Sequence, residues 1–200
     1  MTTSAFNQFP VEYQSLLTLF NSIYQLSPQA NEDIVGNSKV ITVQKKTDLL
    51  RAGEISNNIY FIVQGSARNY HLNKDGEETT SWFLFENELL ISVYSFFTGA
   101  PGFEYLRTME DSILIVLSKE KLDFLYQKHI EFNFIGRKLT EQYYVRNEAQ
   151  TNDLRMLTSK QRYEKLIAHQ PHLLNRVPLG YIASYLGISQ ETLSRIRRQK

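Results

Sequence analysis

Near the end of the chain, residues 179–198 read LGYIASYLGISQETLSRIRR, and Gln190, Glu191, Ser194, Arg195 and Arg198 within that run can do a specific kind of chemistry. Arginine pairs bidentately with guanine, glutamate accepts from the cytosine amino group, and glutamine pairs with adenine. Such groups read DNA only when a rigid element holds them in a groove, and the residues between them supply one. Ile182, Leu186, Ile188, Leu193 and Ile196 are spaced to face inward from two short helices. Ala183 is small where the helices cross, and Gly187 suits the left-handed residue of a tight turn. Ser189 is a good N-cap for the second helix, and Pro178 fits the first turn of the helix before it. The spacing predicts a helix-turn-helix with the readers on the outward face of its second helix. A structural helical hairpin with a basic surface is the plainer alternative.

Charge favours the first reading. From Arg155 to Lys200 there are nine Lys/Arg against two acids, Glu164 and Glu191, a local +7 within a chain of formal net charge +1. The other 154 residues therefore carry −6. A basic end on an acidic body predicts a polyanion-binding module joined to something else.

The elements upstream must position that module. Residues 9–26 space Val11, Leu16, Leu17, Phe20, Ile23 and Tyr24 as an amphipathic helix. From Lys39 to Leu117 the texture is short β-rich runs (VITVQ, NIYFIVQG, ARNYHL, SWFLF, ILIVL) broken by turns at 51–54, 73–76 and 98–102. Strands so short and so regularly interrupted predict a barrel or double-layered roll. Ser118 reads as an N-cap, Ile130–Leu157 as one long helix, and Thr158 with Gln161 as a capping box. On the long helix, Phe132, Ile135, Leu139, Gln142, Arg146, Ala149 and Asp153 follow 3-4 spacing, compatible with core packing or with a dimer seam. Pro171 and Pro178 bracket a connecting loop.

A roll of short strands, a long helix and a C-terminal helix-turn-helix together resemble the Crp/Fnr family of bacterial transcription regulators. The match is carried by Leu50-Arg-Ala-Gly-Glu54 followed by Ile59-Tyr-Phe-Ile-Val-Gln-Gly65, by Asp75-Gly76, by 110–117 (EDSILIVL), and by 187–196 (GISQETLSRI). The resemblance implies an α+β chain: a double-stranded β-roll (a cyclic-nucleotide-binding-like jelly roll) with flanking helices, a long dimerisation helix, and an all-α helix-turn-helix domain. The expected boundaries are 1–130, 131–157 and 158–200. It implies that Gln190, Glu191 and Arg195 read bases while the hydroxyls of Ser189 and Thr192 face phosphate; Ser194 and Arg198 complete the expected DNA-binding set. The implied partners are double-stranded DNA, a second copy of the chain in a homodimer, and RNA polymerase, together with a small-molecule effector that is either unidentified or absent.

The effector pocket departs from the family pattern. Members that bind cyclic AMP hold the ribose with a Gly-Glu pair and the phosphate with an Arg-Ser pair. The corresponding window here, residues 86–112, has no Gly-Glu, and Gly102 and Phe103 stand where Arg-Ser would be. A cyclic phosphate buried there lacks a charge partner, so no cyclic-nucleotide binding is expected. Arg107 lies nearby in sequence, with its direction open, and Glu104 would repel a phosphate. Trp82, Phe83, Phe85, Tyr94, Phe96 and Phe97 either fill the roll or line an apolar cavity, with filling the expected outcome. The chain stops at Lys200, where many members continue into a winged hairpin, which predicts modest, steeply salt-dependent affinity.

Other classes fall away. With no cysteine, the chain makes no disulfide, thiolate zinc site, cysteine-ligated cluster or cysteine nucleophile. Haem would need His71 or His129 as an axial ligand, and lone histidines are far more often packing residues; no cofactor is expected. No metal-ligand spacing, nucleophile elbow or phosphate loop suggests an enzyme. Neither a membrane-length apolar run nor a signal-peptide pattern is present, so a cytoplasmic protein is expected. The competing reading from another class is a ligand-sensing or scaffolding roll whose helical tail binds a protein partner.

Overall fold

A computed structural model describes residues 6–198. Two compact units divide the chain: residues up to Asn69 together with Phe83–Thr140, and Tyr70–Trp82 together with Glu141 onward. The long helix is continuous through the second junction, so one helix contributes to both units.

The first unit opens with α1 (Val11–Ile23) and α2 (Pro28–Asn37). The first matches the sequence expectation. The second has a local cause: Ser27 accepts the Ala30 N–H on its side chain, and Pro28 occupies the first turn. Strands follow as β1 (Lys39–Val43), β2 (Asp48–Leu50), β3 (Asn58–Gln64), β4 (Ala67–Leu72), β5 (Glu78–Leu84) and β6 (Leu89–Leu90). A short helix, α3 (Val93–Thr98), then leads to β7 (Glu104–Thr108) and β8 (Ser112–Ser118).

They form two four-stranded sheets, ordered β1-β8-β3-β6 and β2-β7-β4-β5. In the first, β1 and β8 run antiparallel from Lys39↔Val116 to Val43↔Ser112, and β8 pairs in turn with β3. The β3–β8 ladder shifts between Ile62 and Gln64. Gly65 follows that shift with φ +98°, and a Cβ there would lie 2.7 Å from the Asp111 carbonyl oxygen. Only glycine accommodates both the conformation and the approach.

The core of this unit is Leu17, Ile34, Phe61, Phe96, Ile115, Leu125, Phe132 and Ile135. Phe132 and Ile135 come from α5 (Ile130–Met156), following α4 (Lys119–Lys128), which Ser118 caps by accepting the Lys121 N–H. Buried His129 sits between these helices with Nε2 2.7 Å from Asp33, whose carboxylate also receives Lys128 Nζ at 2.6 Å. Those contacts fasten α2 to the α4–α5 junction. They also put His129 Nδ1 3.9 Å from Glu131, so both ring nitrogens face carboxylates.

Of the aromatic stretch, Trp82, Phe83, Phe85 and Phe96 are buried, while Tyr94 and Phe97 are exposed. Filling is thus the fate of Phe83, Phe85 and Phe96, whereas Trp82 belongs to the second unit and lines a cavity there. The exposed pair differs because α3 is a single short surface helix whose inward side is taken by Ser95 and Phe96.

The second unit contains the turn joining β4 to β5, the remainder of α5, α6 (Ser159–His169), α7 (Leu173–Arg176), α8 (Leu179–Tyr185) and α9 (Gln190–Arg198). Thr158 and Gln161 make the expected capping box in full. The Pro171–Pro178 loop contains one further helical turn, α7, with Leu173 fully buried beneath it.

Among the described residues, no helix is long and apolar enough to cross a membrane, and no group of three or more His, Asp or Glu could hold a metal ion.

Candidate nucleic-acid interface

The joint between α8 and α9 is set by backbone hydrogen bonds. The Ile188 N–H donates to the Ala183 carbonyl at 3.0 Å and the Gly187 N–H to the Ser184 carbonyl at 3.1 Å, the paired pattern that ends a helix through a left-handed residue. Gly187 is that residue, with φ +64°. Ile182, Ala183, Leu186, Leu193 and Ile196 are buried between the two helices with Tyr163, Leu173 and Val177 beside them; Ile188 is half-buried.

Arg162 of α6 reinforces the joint. Its Nη2 donates to the Leu186 carbonyl at 2.9 Å and its Nη1 to the Leu157 carbonyl at 2.7 Å. One guanidinium therefore ties the end of α5 to the turn between α8 and α9. No motif in the sequence marks this residue, because its partners are backbone carbonyls.

With Leu193 and Ile196 turned inward, helical geometry sends Glu191, Ser194, Arg195 and Arg198 to the opposite side. Glu191, Arg195 and Arg198 are exposed, as is the neighbouring Arg197, and Ser194 is half-buried. Gln190 opens the helix and is exposed, with its Oε1 close to Gly180 of α8. Ser189 accepts the Thr192 N–H at 3.2 Å and donates to Thr192 Oγ1 at 3.1 Å. The two hydroxyls assigned to phosphate thus bond each other, while Ser189 still performs the N-cap role. Glu191 at the first turn and three arginines at the last suit the helix dipole as well as a polyanion.

The two ends of the long-helix seam pack on their own chain, while Gln142 and Ala149 are exposed. Phe132 and Ile135 belong to the first unit's core and Leu139 packs against it. Further along, Arg146 stacks over Trp82 at 4.7 Å and Asp153 pairs with Lys165 at 2.7 Å. Tyr144, on the other side of the helix, and Val145, at the flank of the seam, are 67% and 66% exposed.

Within the roll, the turn before β6 is built by Asn87 with φ +68° and followed by Glu88. Asparagine tolerates that conformation better than most non-glycine residues, so the window that lacks Gly-Glu contains an Asn-Glu turn. The Glu88 carboxylate accepts the Phe85 N–H at 2.8 Å. Gly102 exchanges backbone hydrogen bonds with the 51–54 turn, its N–H donating to Glu54 and its carbonyl accepting from Gly53. A Cβ on Gly102 would lie 3.2 Å from Ser95 Cβ. Arg107 points to Asp48, with Nη2 3.1 Å from Oδ2. That guanidinium, through its hydrogen bond, holds the Asp48 carboxyl below its usual range against the opposing effect of burial.

One residue escaped sequence reasoning altogether. Arg68 on β4 is fully buried, so the first unit does contain an internal guanidinium, on a different strand from the expected phosphate turn. Nothing in the run ARNYHL distinguishes it from a surface residue on a half-exposed strand. Glu104 is half-buried, with its Oε2 buried and without a hydrogen-bond partner.

Comparison with known proteins bears on the roll and on the whole fold. Residues 40–129 match the family model described as the cyclic nucleotide-binding domain. No curated protein matches the chain. Among solved structures, FixK2 from Bradyrhizobium japonicum superposes with a TM-score of 0.68 at 18% identity, over 81% of this chain and 83% of that one. The c-di-GMP-responsive global regulator CLP of Xanthomonas campestris gives 0.65 at 19%, over 86% and 91%. A transcriptional regulator of the Crp/Fnr family from Eubacterium rectale gives 0.69 at 16%, over 90% and 85%. The chain shares the fold of these three proteins, of which the Xanthomonas one is described as a global regulator and the Eubacterium one as a Crp/Fnr-family transcriptional regulator.

Proposed function

We propose that this chain, a cyclic-nucleotide-binding-type roll joined to a helix-turn-helix on the Crp/Fnr fold, is a cytoplasmic transcription regulator that binds a palindromic DNA site as a homodimer. The observation that carries the reading is the outward face of α9, where Glu191, Ser194, Arg195 and Arg198 lie opposite Leu193 and Ile196 on a helix pinned by the Gly187 turn. An inserted helix with that face presents a guanidinium to guanine and a carboxylate to cytosine, and places further arginines near phosphates. The exposed Tyr144 and Val145 of α5 support a second copy as the partner along that helix. Two helices so related contact half-sites about one turn of DNA apart.

The roll is not a cyclic-nucleotide site in this reading. Gly102 has no room for a larger side chain without movement, Arg107 is engaged by Asp48, and Glu104 adds a carboxylate at the phosphate turn. Arg68 is the internal cation that could reverse this, so calorimetric titration with cyclic AMP is the direct check. Tight binding that disappears in Arg68→Gln would overturn the claim.

Selection from a random duplex library with no ligand added tests the main reading. Enrichment of a palindrome, lost in Arg195→Ala, is the expected result. Failure to enrich any sequence favours the helical tail as a protein-binding element.

A further inference from the structure

The second unit contains a cavity of 330 Å³, bounded by the end of β5, the last turns of α5, α6 and the end of α8. That volume is at the lower end of small-molecule sites. Its apolar wall includes Trp82, Leu154, Leu166 and Leu186.

The polar wall is unbalanced in charge. Arg146, Arg162 and Lys165 line the cavity against a single carboxylate, Asp153, which Lys165 already engages at 2.7 Å. Arg162 spends its hydrogen bonds on two carbonyls and the Ser159 hydroxyl and has no carboxylate partner, and its Nε is buried without any acceptor. A guanidinium so placed carries a desolvation cost that an anion nearby would offset. Gln170 Oε1 is likewise buried without a donor. His169 donates from Nδ1 to the Lys165 carbonyl at 2.8 Å, because a carbonyl can only accept, which assigns the ring's other nitrogen as the acceptor when the side chain is neutral. Burial pushes the Tyr185 phenol up, so it stays a neutral hydroxyl at ordinary pH.

We propose that this cavity binds a small planar organic anion, an aryl carboxylate in chemical class, with its ring on the Trp82–Leu166 wall and its carboxylate among Arg162, Lys165 and His169. The site is separate from the roll interior and from the α9 face. Tyr185 and Leu186 end the first helix of the helix-turn-helix, and Arg162 holds the Leu186 carbonyl, so an occupant would touch the turn that orients α9.

Trp82 is the chain's only tryptophan, so its indole N–H gives one resonance that reports on the cavity. The experiment follows that resonance in the full-length protein without DNA, titrating biphenyl-4-carboxylate, biphenyl-4-methanol and biphenyl-4-methylamine. The carboxylate should give a saturable shift and bind about tenfold more tightly than the alcohol, since a charge-assisted hydrogen bond is worth about that factor. The amine should bind most weakly. Lys165→Gln should lower the carboxylate's affinity by about tenfold. Ala149→Phe, at an exposed cavity-lining position on α5, should abolish the shift while leaving thermal unfolding unchanged. Equal binding of all three probes, no shift with any of them, or a shift that survives Ala149→Phe each overturns the proposal. DNA takes no part in the measurement, so failure here leaves the DNA-binding reading standing.

Discussion

The hydroxyl of Ser184 accepts the backbone N–H of Thr80 at 2.8 Å and donates to the Glu78 carbonyl at 2.7 Å. One serine on α8 thereby satisfies a donor and an acceptor of β5, the outer strand of its sheet. An exposed strand edge invites pairing with other chains, and a side chain that mimics a neighbouring strand closes part of it. Gln150 of α5 adds a third bond, donating to the Ser81 carbonyl at 2.9 Å.

Replacing that hydroxyl should be felt on β5. Ser184→Ala removes both of these hydrogen bonds and should cost about 1–2 kcal/mol. Amide exchange at Thr80 should accelerate well beyond that at Leu193, which lies in the α8–α9 joint. Equal acceleration at both positions would mean that the contact does not act locally.

Arg195→Ala should weaken specific DNA binding by about 1–3 kcal/mol and relax preference at one base pair in each half-site. Arg198→Ala should instead lower affinity across all sequences and flatten the salt dependence. Affinities measured for the selected palindrome and for a scrambled duplex over a salt series distinguish the two behaviours.

Two glycines separate backbone strain from crowding. Nothing lies within 4 Å of a Cβ placed on Gly187, so Gly187→Ala meets only the left-handed conformation and should cost about 1–2 kcal/mol. Gly65→Ala meets the same kind of strain and also the Asp111 carbonyl at 2.7 Å, and should cost more than about 2 kcal/mol. Urea unfolding of the two variants gives the comparison directly; equal losses would contradict it.

The Asp48–Arg107 pair fixes a pH dependence. Because Arg107 holds the folded-state carboxyl below its usual 3.8, the pair stabilises the fold above that value. The contribution disappears as pH falls through the depressed folded pKa. Asp48→Asn should therefore be less stable than the parent at neutral pH, and the difference should narrow as acid protonates the parent's carboxyl. Urea midpoints across that range report the trend, and a gap that widens on acidification would show the sign to be wrong.

Local rules written in the sequence determined much of this molecule. The helix-turn-helix was legible because its turn needs one left-handed residue, its crossing needs one small residue, and its apolar positions repeat at helical spacing; Gly187, Ala183 and the set from Ile182 to Ile196 satisfy all three. Capping by Ser118, Thr158 and Ser189 was legible for the same reason, since an N-cap bonds a backbone N–H only two or three residues away. The longer strands were readable from β-rich runs between turns. β2 and β6, with three residues and two, were not, because periodicity needs length to register. α2 could have been found from Ser27-Pro28, a cap followed by a first-turn proline.

Tertiary structure alone decided the rest, because the deciding partners lie far apart in sequence. Arg107 reaches Asp48 across 59 residues and Ser184 reaches Thr80 across 104. Arg68 reads as a strand surface residue, and only the folded chain shows it fully buried. The seam on α5 was ambiguous because a helix stripe records a pattern and not the surface that covers it; burial of Phe132 and Ile135, and the pairing of Asp153 with Lys165, turn its two ends toward its own chain. Short-range stereochemistry therefore fixed α9 and the turn before it, whereas long-range packing fixed which charged groups met one another.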